Sequence, residues 1–212
     1  YIYTDESVDN SEYLHAVSDT INNTKNDEMV MNTDESSSVL SILQKYGQAQ
    51  FGSPNYNHSI VNTFQNSDTD DDGIPEENVT RLYDLLYSFR QSKNEIKNVL
   101  YKAEDGSYSK AIIKVKENAN KITSNMDNAE VMEDELKADT EPLKSAGFTA
   151  KITSGSIVGQ ETTEELNETQ LNSLIATIII VAIILTIVFY YVHGSKVLGV
   201  ITTIPVTVVT IW

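Results

Sequence analysis

The sequence contains no cysteine and only three histidines, and these absences exclude several classes of protein. Without cysteine there is no disulfide framework, so a folded domain must be stable through its core or a bound ion. His15, His58 and His193 are too scattered in the sequence for a metal triad. The chain also lacks a G-x-S-x-G motif, a glycine-rich phosphate loop and a serine paired with a recognisable histidine and aspartate. We therefore expect a protein that is not an enzyme, and nothing indicates ATP-driven transport.

Charged residues are almost absent from the C-terminal end of the chain. Residues 171–212 contain no Asp or Glu, and Lys196 is their only basic residue. All 31 acidic residues and 14 of the 15 basic residues lie in residues 1–170, which therefore carry a net charge of −17. A surface this acidic repels nucleic acid and anionic lipid head groups. The sequence predicts an acidic soluble part joined to a membrane part, with no nucleic-acid partner.

An uncharged run, Leu174–Val192, predicts a transmembrane helix. It is 19 residues long, which at about 1.5 Å per residue nearly spans a hydrocarbon core of about 30 Å. Two tyrosines at its end, Tyr190 and Tyr191, suit a membrane interface. A polar break, HGSK, separates this run from a second apolar run. The pattern predicts a membrane hairpin, with a turn at 193–196 and the start of a second span at 197–212.

The distribution of basic residues also predicts the orientation of the chain. Lys196 lies in the predicted turn, whereas the segment 155–173 before the first span has no Lys or Arg. Because cytoplasmic loops carry the excess of basic residues, we expect the turn in the cytoplasm and residues 1–170 outside it. N-x-Ser/Thr sequons in this outer part allow surface glycosylation and begin at Asn22, Asn57, Asn78 and Asn167.

Two βαβ units are predicted in the outer part, and they make it an α+β domain. The first unit, around residues 1–32, has a strand at 1–4, a helix that ends near Asn23 and a short strand, EMVM, at 28–31. The second unit, around 108–154, has a strand in YSKAIIKVK, a polar helix and a strand in FTAKITSG. The polar helix is expected at 127–146, with a break at Pro142 and closure by Gly147.

Residues 33–107, between the two units, are predicted to form a helical insertion. Apolar residues at helical spacing place one helix before Gly47 and a second after Pro75. Beyond the second unit, the last strand is expected to run through GSIVG, and the chain favours a helix from Glu161 onward into the span. A helix that is continuous with the span would link movements of the outer domain mechanically to movements of the span.

The acidic stretch QNSDTDDDGIPEEN predicts a loop that binds a cation. Asp68, Asp70 and Asp72 fall at positions 1, 3 and 5 of an EF-hand-like loop, and Gly73 falls at position 6, where the backbone turns sharply. Oxygen ligands at this spacing suit Ca²⁺. Position 12 departs from the pattern, because it is Val79 instead of a bidentate glutamate.

Two interpretations of this loop, residues 68–77, stay open. Glu76 or Glu77 could replace the missing ligand only in a shortened loop, and DGIPEEN more closely resembles the calcium repeats of thrombospondin and dockerin type. Those repeats occur in pairs or several copies, whereas this chain has one. The loop is either a structural Ca²⁺ site or a solvated loop whose carboxylates favour the start of the next helix. We expect no transport or catalytic role for it and no other cofactor. The candidate ligands are Asp68, Asp70, Asp72, Glu76 and Glu77.

Three segments of the chain resemble the MMPL-type branch of the resistance-nodulation-division (RND) superfamily. YIYTDESVDNSEYLHAV is similar to the strand and helix that open the porter domain of that family. SYSKAIIKVK and LKSAGFTAKITSGSIVGQE are similar to its paired strands and glycine-containing exit. The apolar end, from Leu171 to Trp212, looks like the second span, the cytoplasmic turn and the third span, with Pro205 and Trp212 at familiar places. One departure is the turn, which reads HGSK where the family commonly has Arg-Ser.

The resemblance implies a domain organisation and a mechanism. It implies a ferredoxin-like extracytoplasmic porter domain at 1–160, with the helical insertion at 33–107, followed at 161–192 by a connecting helix and transmembrane span. The expected activity is export of lipophilic or amphiphilic substrates from a multi-pass position in the cell membrane, driven by a proton or sodium gradient. Carboxylates that couple ions lie in a later span of such proteins, and residues 171–212 contain none.

Two other functions stay open at this point. One is a membrane-anchored, calcium-stabilised sensor or adhesion ectodomain, although such a chain should pass from Val192 into a charged cytoplasmic region. The other is a protein-export accessory subunit of the same superfamily. The chain is expected to be part of a longer protein, with the lipid bilayer as its partner, and a homo-oligomer is left open.

Overall fold

Strand-forming segments that are far apart in the sequence form one antiparallel sheet. The computed structural model describes residues 1–31, 36–122, 127–193 and 201. In the sheet the strands stand in the order β2-β3-β1-β4, and each strand is antiparallel to its neighbours. The strands are β1 (Ile2–Thr4), β2 (Leu100–Lys102), β3 (Tyr108–Ile113) and β4 (Lys151–Ile152).

Alternation along the strands gives the sheet a buried face and an open face. Ile2 of β1 lies opposite Ile113 of β3, and both side chains are buried. Tyr3, the next residue of β1, lies opposite Ile112 and points to the other side, because successive side chains of a strand alternate. The hydrophobic core therefore forms on one side of the sheet.

Nine helices occur in the described part of the chain, and side-chain caps fix the start of several. Asn10 accepts a hydrogen bond from the backbone N–H of Tyr13 (2.8 Å), and Ser38 forms a reciprocal capping box with Ser41. The helices are α1 (Ser11–Thr24), α2 (Val39–Gly47), α3 (His58–Ser67), α4 (Val79–Ser88), α5 (Lys93–Lys97), α6 (Ala119–Ile122), α7 (Asp127–Asp139), α8 (Glu141–Ser145) and α9 (Gly155–His193).

The predicted α+β class is confirmed, but two predicted strands are wrong. EMVM is not a strand, since only Val30 forms an isolated bridge, to Glu117. The second strand of the sheet is instead β2, which lies within the predicted insertion. GSIVG is not a continuation of the last strand, because α9 already begins at Gly155. The residue before the helix explains this early start, because the Ser154 side chain accepts a hydrogen bond from the Ile157 N–H (3.1 Å) and caps α9.

The predicted break in the polar helix occurs at the expected place. α7 ends at Asp139, and α8 begins at Glu141 with Pro142 in its first turn. Proline suits a first turn because its missing N–H would have no helical partner there. Gly147 has φ of 86°, the left-handed conformation expected of a residue that ends a helix.

Residues Tyr1–Val158 form one compact unit with two hydrophobic clusters. The main cluster lies between the sheet and helices α1 to α5 and α8, and the small cluster lies under α7. Tyr13, Tyr46, Tyr83 and Tyr108 are almost fully buried in the main cluster. The members of the small cluster are Val30, Ile122, Ala129, Met132, Leu136 and Ile157.

Residues Gly159–Trp212 are the second unit, and α9 supplies most of their described part. α9 is one continuous helix from Gly155 to His193, which confirms that the helix continues into the apolar run. It is the one helix among the described residues that is long and apolar enough to cross a membrane. The predicted turn and second span lie outside the described residues, apart from His193 and Ile201.

Candidate functional site

The acidic loop joins two helices that lie in contact. α3 ends at Ser67, and α4 begins at Val79. The N–H of Asp68 still donates to the carbonyl of Phe64 (2.9 Å), so the first acidic residue is fixed by the end of α3. The loop therefore starts and ends at defined positions, in a helix–loop–helix arrangement.

Four carboxylates of the loop converge. One oxygen from each of Asp68, Asp70, Asp72 and Glu76 lies within 4.8 Å of the others. Exposed acidic groups repel one another, so this convergence requires a backbone that holds them or a cation that neutralises them. The arrangement offers four hard oxygen ligands to a divalent cation.

Hydrogen bonds within the loop hold all four of these side chains. Asp68 Oδ2 accepts from the N–H of Gly73 (3.0 Å), which closes the loop on itself. Glu76 Oε2 accepts from both the backbone N–H (2.6 Å) and the hydroxyl (3.0 Å) of Thr69. Asp70 and Asp72 also accept, from the N–H groups of Asp72 (3.3 Å) and Ile74 (2.7 Å). All four carboxylates are therefore positioned without any ion.

The backbone of the loop uses left-handed conformations to make its turns. φ is 61° at Asp71, 84° at Gly73 and 54° at Asn78, a region in which glycine, Asn and Asp are the preferred residues. The carbonyl of Gly73 accepts from Gln44 Nε2 of α2 (3.1 Å). The sharp turn expected at Gly73 is thus present, and α2 holds it from outside the loop.

Two oxygens of the cluster are buried and lack a hydrogen-bond partner. They are Asp68 Oδ1 and Glu76 Oε1. Burial, together with the charges of neighbouring carboxylates, raises the pKa of Asp68 above its usual value, although the Gly73 N–H opposes this. The pKa of Glu76 is lowered, chiefly because the Thr69 N–H donates to it. A bound cation would satisfy both orphaned oxygens.

Four of the five predicted ligands converge in the structure, and the fifth, Glu77, does not. Glu77 is exposed and lies outside the convergent group, and its N–H faces the carbonyl of Ser67 (3.4 Å). Val79 is buried at the start of α4 and supplies no side-chain ligand at position 12. Glu76 occupies the ninth position of the loop, so the group is completed by a nearer acid.

Two neighbours of the loop could not be found from the loop sequence. His15 of α1 places Nδ1 3.9 Å from Asp72 Oδ2. His15 and Gln44 are both distant in sequence from the loop, and no local motif marks either residue. His58 lies apart and contacts the hydroxyl of Tyr56 (3.3 Å), and the described part of the chain contains no other convergent group of three or more metal-binding side chains.

Comparison with known families gives one match. A family model described as MMPL family matches residues 12–211, almost the whole chain. No curated protein and no solved structure matches.

Proposed function

Because this chain belongs to the MMPL family, whose members are RND-type membrane transporters and not enzymes, we propose that it contributes to export driven by an ion gradient. The substrates proposed are lipophilic or amphiphilic molecules. The family match carries this proposal, since it covers both the α+β unit and the apolar end of the chain. The same match favours a transporter over an anchored sensor or adhesion ectodomain and over a protein-export accessory subunit.

We further propose that residues 1–160 are a ferredoxin-like porter domain outside the cytoplasm. Strand order β2-β3-β1-β4, with helices after β1 and after β3, is the order expected of two interleaved, or split, βαβ units. Residues 33–107 carry four helices beyond that core arrangement, which supports the proposed insertion. Residues 161–192 are then the connecting helix and span, 193–196 the cytoplasmic turn and 197–212 the start of the next span.

The role proposed for α9 is to transmit movement between the α+β unit and the membrane. Its first turn is tied into the small cluster by Ile157 and by a hydrogen bond from Ser156 Oγ to Glu117 (3.1 Å). An unbroken helix transmits displacement better than a loop, because its backbone is hydrogen-bonded throughout. Ion coupling itself would require carboxylates in other spans, since residues 171–212 contain none.

Transport by the full-length protein that contains this chain tests the proposal. In liposomes, a fluorescent fatty acid should move only when a proton or sodium gradient is imposed, and the matching ionophore should abolish the movement. Glu165→Pro should stop transport because proline breaks the helix, whereas Glu165→Ala at the same exposed position should not. Movement that persists without any gradient would contradict the proposal.

Membrane orientation has its own test, in which single cysteines are introduced into a protein freed of any other cysteine, and residues 1–212 contain none to remove. Ser145→Cys should react with a membrane-impermeant maleimide added outside intact cells, whereas Ser195→Cys should react only after the membrane is opened. Reaction of Ser195→Cys from outside would reverse the proposed orientation.

A second proposal is that the acidic loop binds Ca²⁺ for structural purposes through Asp68, Asp70, Asp72 and Glu76. The convergent oxygens and the two orphaned ones support it. Ca²⁺ should raise the unfolding temperature of the chain and release or absorb heat in calorimetry, and Asp70→Asn should remove both effects. Asp71→Asn is the matched control, because Asp71 lies in the loop outside the group and asparagine accepts its left-handed backbone. No heat and no stabilisation at millimolar Ca²⁺ would leave only a solvated loop.

A further inference from the structure

The open face of the sheet carries side chains in two cross-strand rows. Lys151, Tyr3 and Ile112 lie side by side on β4, β1 and β3. The second row contains Lys110 of β3 and Tyr101 of β2, which are directly paired. Both rows point away from the helices, because the residues between them, such as Ala111, are buried in the core. The two rows therefore form one continuous surface on the open face of the sheet.

This surface is cationic on a domain that is otherwise strongly acidic. Lys110 and Lys151 both approach the carboxylate of Asp5, at 3.3 and 3.5 Å. Lys97, at the end of α5, pairs with no carboxylate among the described residues. This surface thus contains three lysines and one aspartate. Residues 1–170 as a whole carry more than twice as many acidic as basic residues. An anion is repelled by most of the domain and attracted to this surface.

A groove with a volume of about 600 Å³ lies between these lysines. This volume falls within the range of about 300–1,000 Å³ found for small-molecule sites. Apolar side chains provide most of its surface, and Tyr101 at its rim is 52% exposed. Besides the three lysines and Asp5, the lining includes Tyr3, Val99, Leu100, Tyr101, Ile112 and Ile152.

We propose that this groove binds an amphiphile with an anionic head, whose apolar part lies on Tyr3 and Ile112 and whose head pairs with Lys97, Lys110 and Lys151. The proposal rests on the proposed export function and adds the sign of the head group and the surface that receives it. Apolar contact favours the tail of the ligand, and lysine ammonium groups favour a carboxylate or phosphate head. A cationic amphiphile gains the apolar contact but is repelled by the lysines.

A palmitate probe that carries a photoreactive diazirine tests this surface in the whole chain in nanodiscs. Illumination should attach the probe to peptides that contain Tyr3, Tyr101 or Ile112, and mass spectrometry locates the adducts. Adducts on α9 report probe dissolved in the bilayer and serve as the internal reference. Unlabelled palmitate should compete for the sheet peptides, and hexadecanol, which has no charge, should not.

Removal of the lysines is the decisive variant. Lys97→Gln, Lys110→Gln and Lys151→Gln combined should lower labelling of the sheet peptides relative to α9 by roughly fivefold, since each exposed charge contributes modestly. The matched control replaces three exposed lysines elsewhere, Lys25, Lys93 and Lys144, and should leave labelling unchanged. Thermal unfolding verifies that both variants are folded.

Three results would overturn the proposal. The first is equal competition by palmitate and hexadecanol, and the second is labelling that survives the loss of the three lysines. The third is an absence of sheet adducts together with crosslinking of two copies through Tyr101→Cys, which would show that a second copy covers this face. Gradient-driven export in the liposome assay, combined with any of these results, would refute this site while leaving the proposed function intact.

Discussion

The two hydrophobic clusters of the α+β unit differ in size and in what surrounds them. The main cluster contains buried tyrosines that find partners, such as Tyr83, whose hydroxyl donates to the carbonyl of Val8 (3.0 Å). Tyr83 also packs edge to face against Tyr108, with ring centroids 5.1 Å apart. Among the described residues, the small cluster has six members and no aromatic side chain. The carboxylates of Asp27, Glu135 and Asp139 each have a buried oxygen to which no N–H or hydroxyl group of the described residues donates.

This difference predicts that the main cluster is more stable than the small cluster. A cluster with few apolar contacts and unsatisfied acceptors contributes little to stability and opens first. Ile157, in the first turn of α9, is buried in the small cluster. The helix that contains the candidate membrane span is therefore held at its start by the weaker of the two clusters.

Leu86→Ala should have the largest effect, because Leu86 is fully buried in the main cluster. Loss of its packing is expected to lower the free energy of unfolding by about 3–5 kcal/mol. Urea unfolding of the chain in nanodiscs, followed by circular dichroism, measures the change. Arg81→Ala on the exposed side of the same helix should cost less than about 0.5 kcal/mol. A small loss of unfolding free energy for Leu86→Ala would show that the main cluster is not the more stable of the two.

Gly47→Ala tests the same cluster by overfilling it. A Cβ at Gly47 would lie 2.3 Å from Cγ of Phe64, too close for any side chain. Since Phe64 is itself buried, we expect a loss of about 2–3 kcal/mol in the same unfolding measurement. Gly159→Ala, where nothing lies within 4 Å, should be neutral or stabilise α9 by up to about 1 kcal/mol. Equal effects of the two substitutions would refute the packing argument.

Met132→Ala should weaken the small cluster alone. Met132 is buried in the cluster that also contains Ile157 of α9, and its truncation is expected to cost about 2 kcal/mol locally. Hydrogen exchange by mass spectrometry should show faster exchange in α7 and the first turn of α9, with the sheet unchanged. The exposed Glu130→Ala in α7 is the control. Faster exchange throughout the sheet would mean that the two clusters unfold together.

The smallest expected effect is a pH dependence of the small cluster. Burial, followed by the hydrogen bond and charge of Asp139, raises the pKa of Asp27 from 3.8 to about 7. Glu28 and Glu135 also face this site as carboxylates, and Lys121 faces it as a cation. Two carboxyl groups in hydrogen-bond contact need a proton between them, so the folded form binds this proton more tightly than the unfolded chain.

The stabilisation from this proton is therefore complete below about pH 4 and is lost as pH rises through about 7. Protection of α7, expressed relative to the intrinsic exchange rate at each pH, should fall over that interval in the natural chain and not in Asp27→Asn, whose amide can donate to Asp139 at every pH. Asp134→Asn, at an exposed position of α7, should behave like the natural chain. Identical pH profiles for Asp27→Asn and the natural chain would exclude a role for this contact.

The sequence patterns predicted the elements better than their pairing. Helical spacing identified α1, α2 and α4, and the alternation in YSKAIIKVK identified β3, because these patterns are local. The partner of β1 could not be found locally, since β3 pairs with it across more than a hundred residues and β2 enters the sheet from the insertion. EMVM has strand-like residues, but its pairing extends no further than the bridge of Val30 to Glu117 and the backbone hydrogen bonds of Met29 and Met31 on either side of it.

The candidate site was predictable to a similar degree. Spacing alone indicated Asp68, Asp70 and Asp72, because loop ligands are close in sequence. Whether Glu76 or Glu77 joins them depends on how Thr69 and Ser67 hold the end of the loop, which only the folded backbone shows. The open sheet face gave no sequence signal, because its lysines come from α5, β3 and β4.

The left-handed Asn78 also begins a sequon, and its side chain differs there from that of Asn57. The side-chain nitrogen of Asn78 is the atom to which an N-linked sugar would be attached, and in the folded loop that nitrogen donates to the buried hydroxyl of Ser67 (3.2 Å). Asn57 differs, because it caps α3 through its oxygen, which accepts from Ser59 and Ile60. A sugar on Asn57 would therefore leave its capping oxygen untouched, whereas a sugar on the exposed Asn78 would be attached to the nitrogen that ties the end of the loop to Ser67.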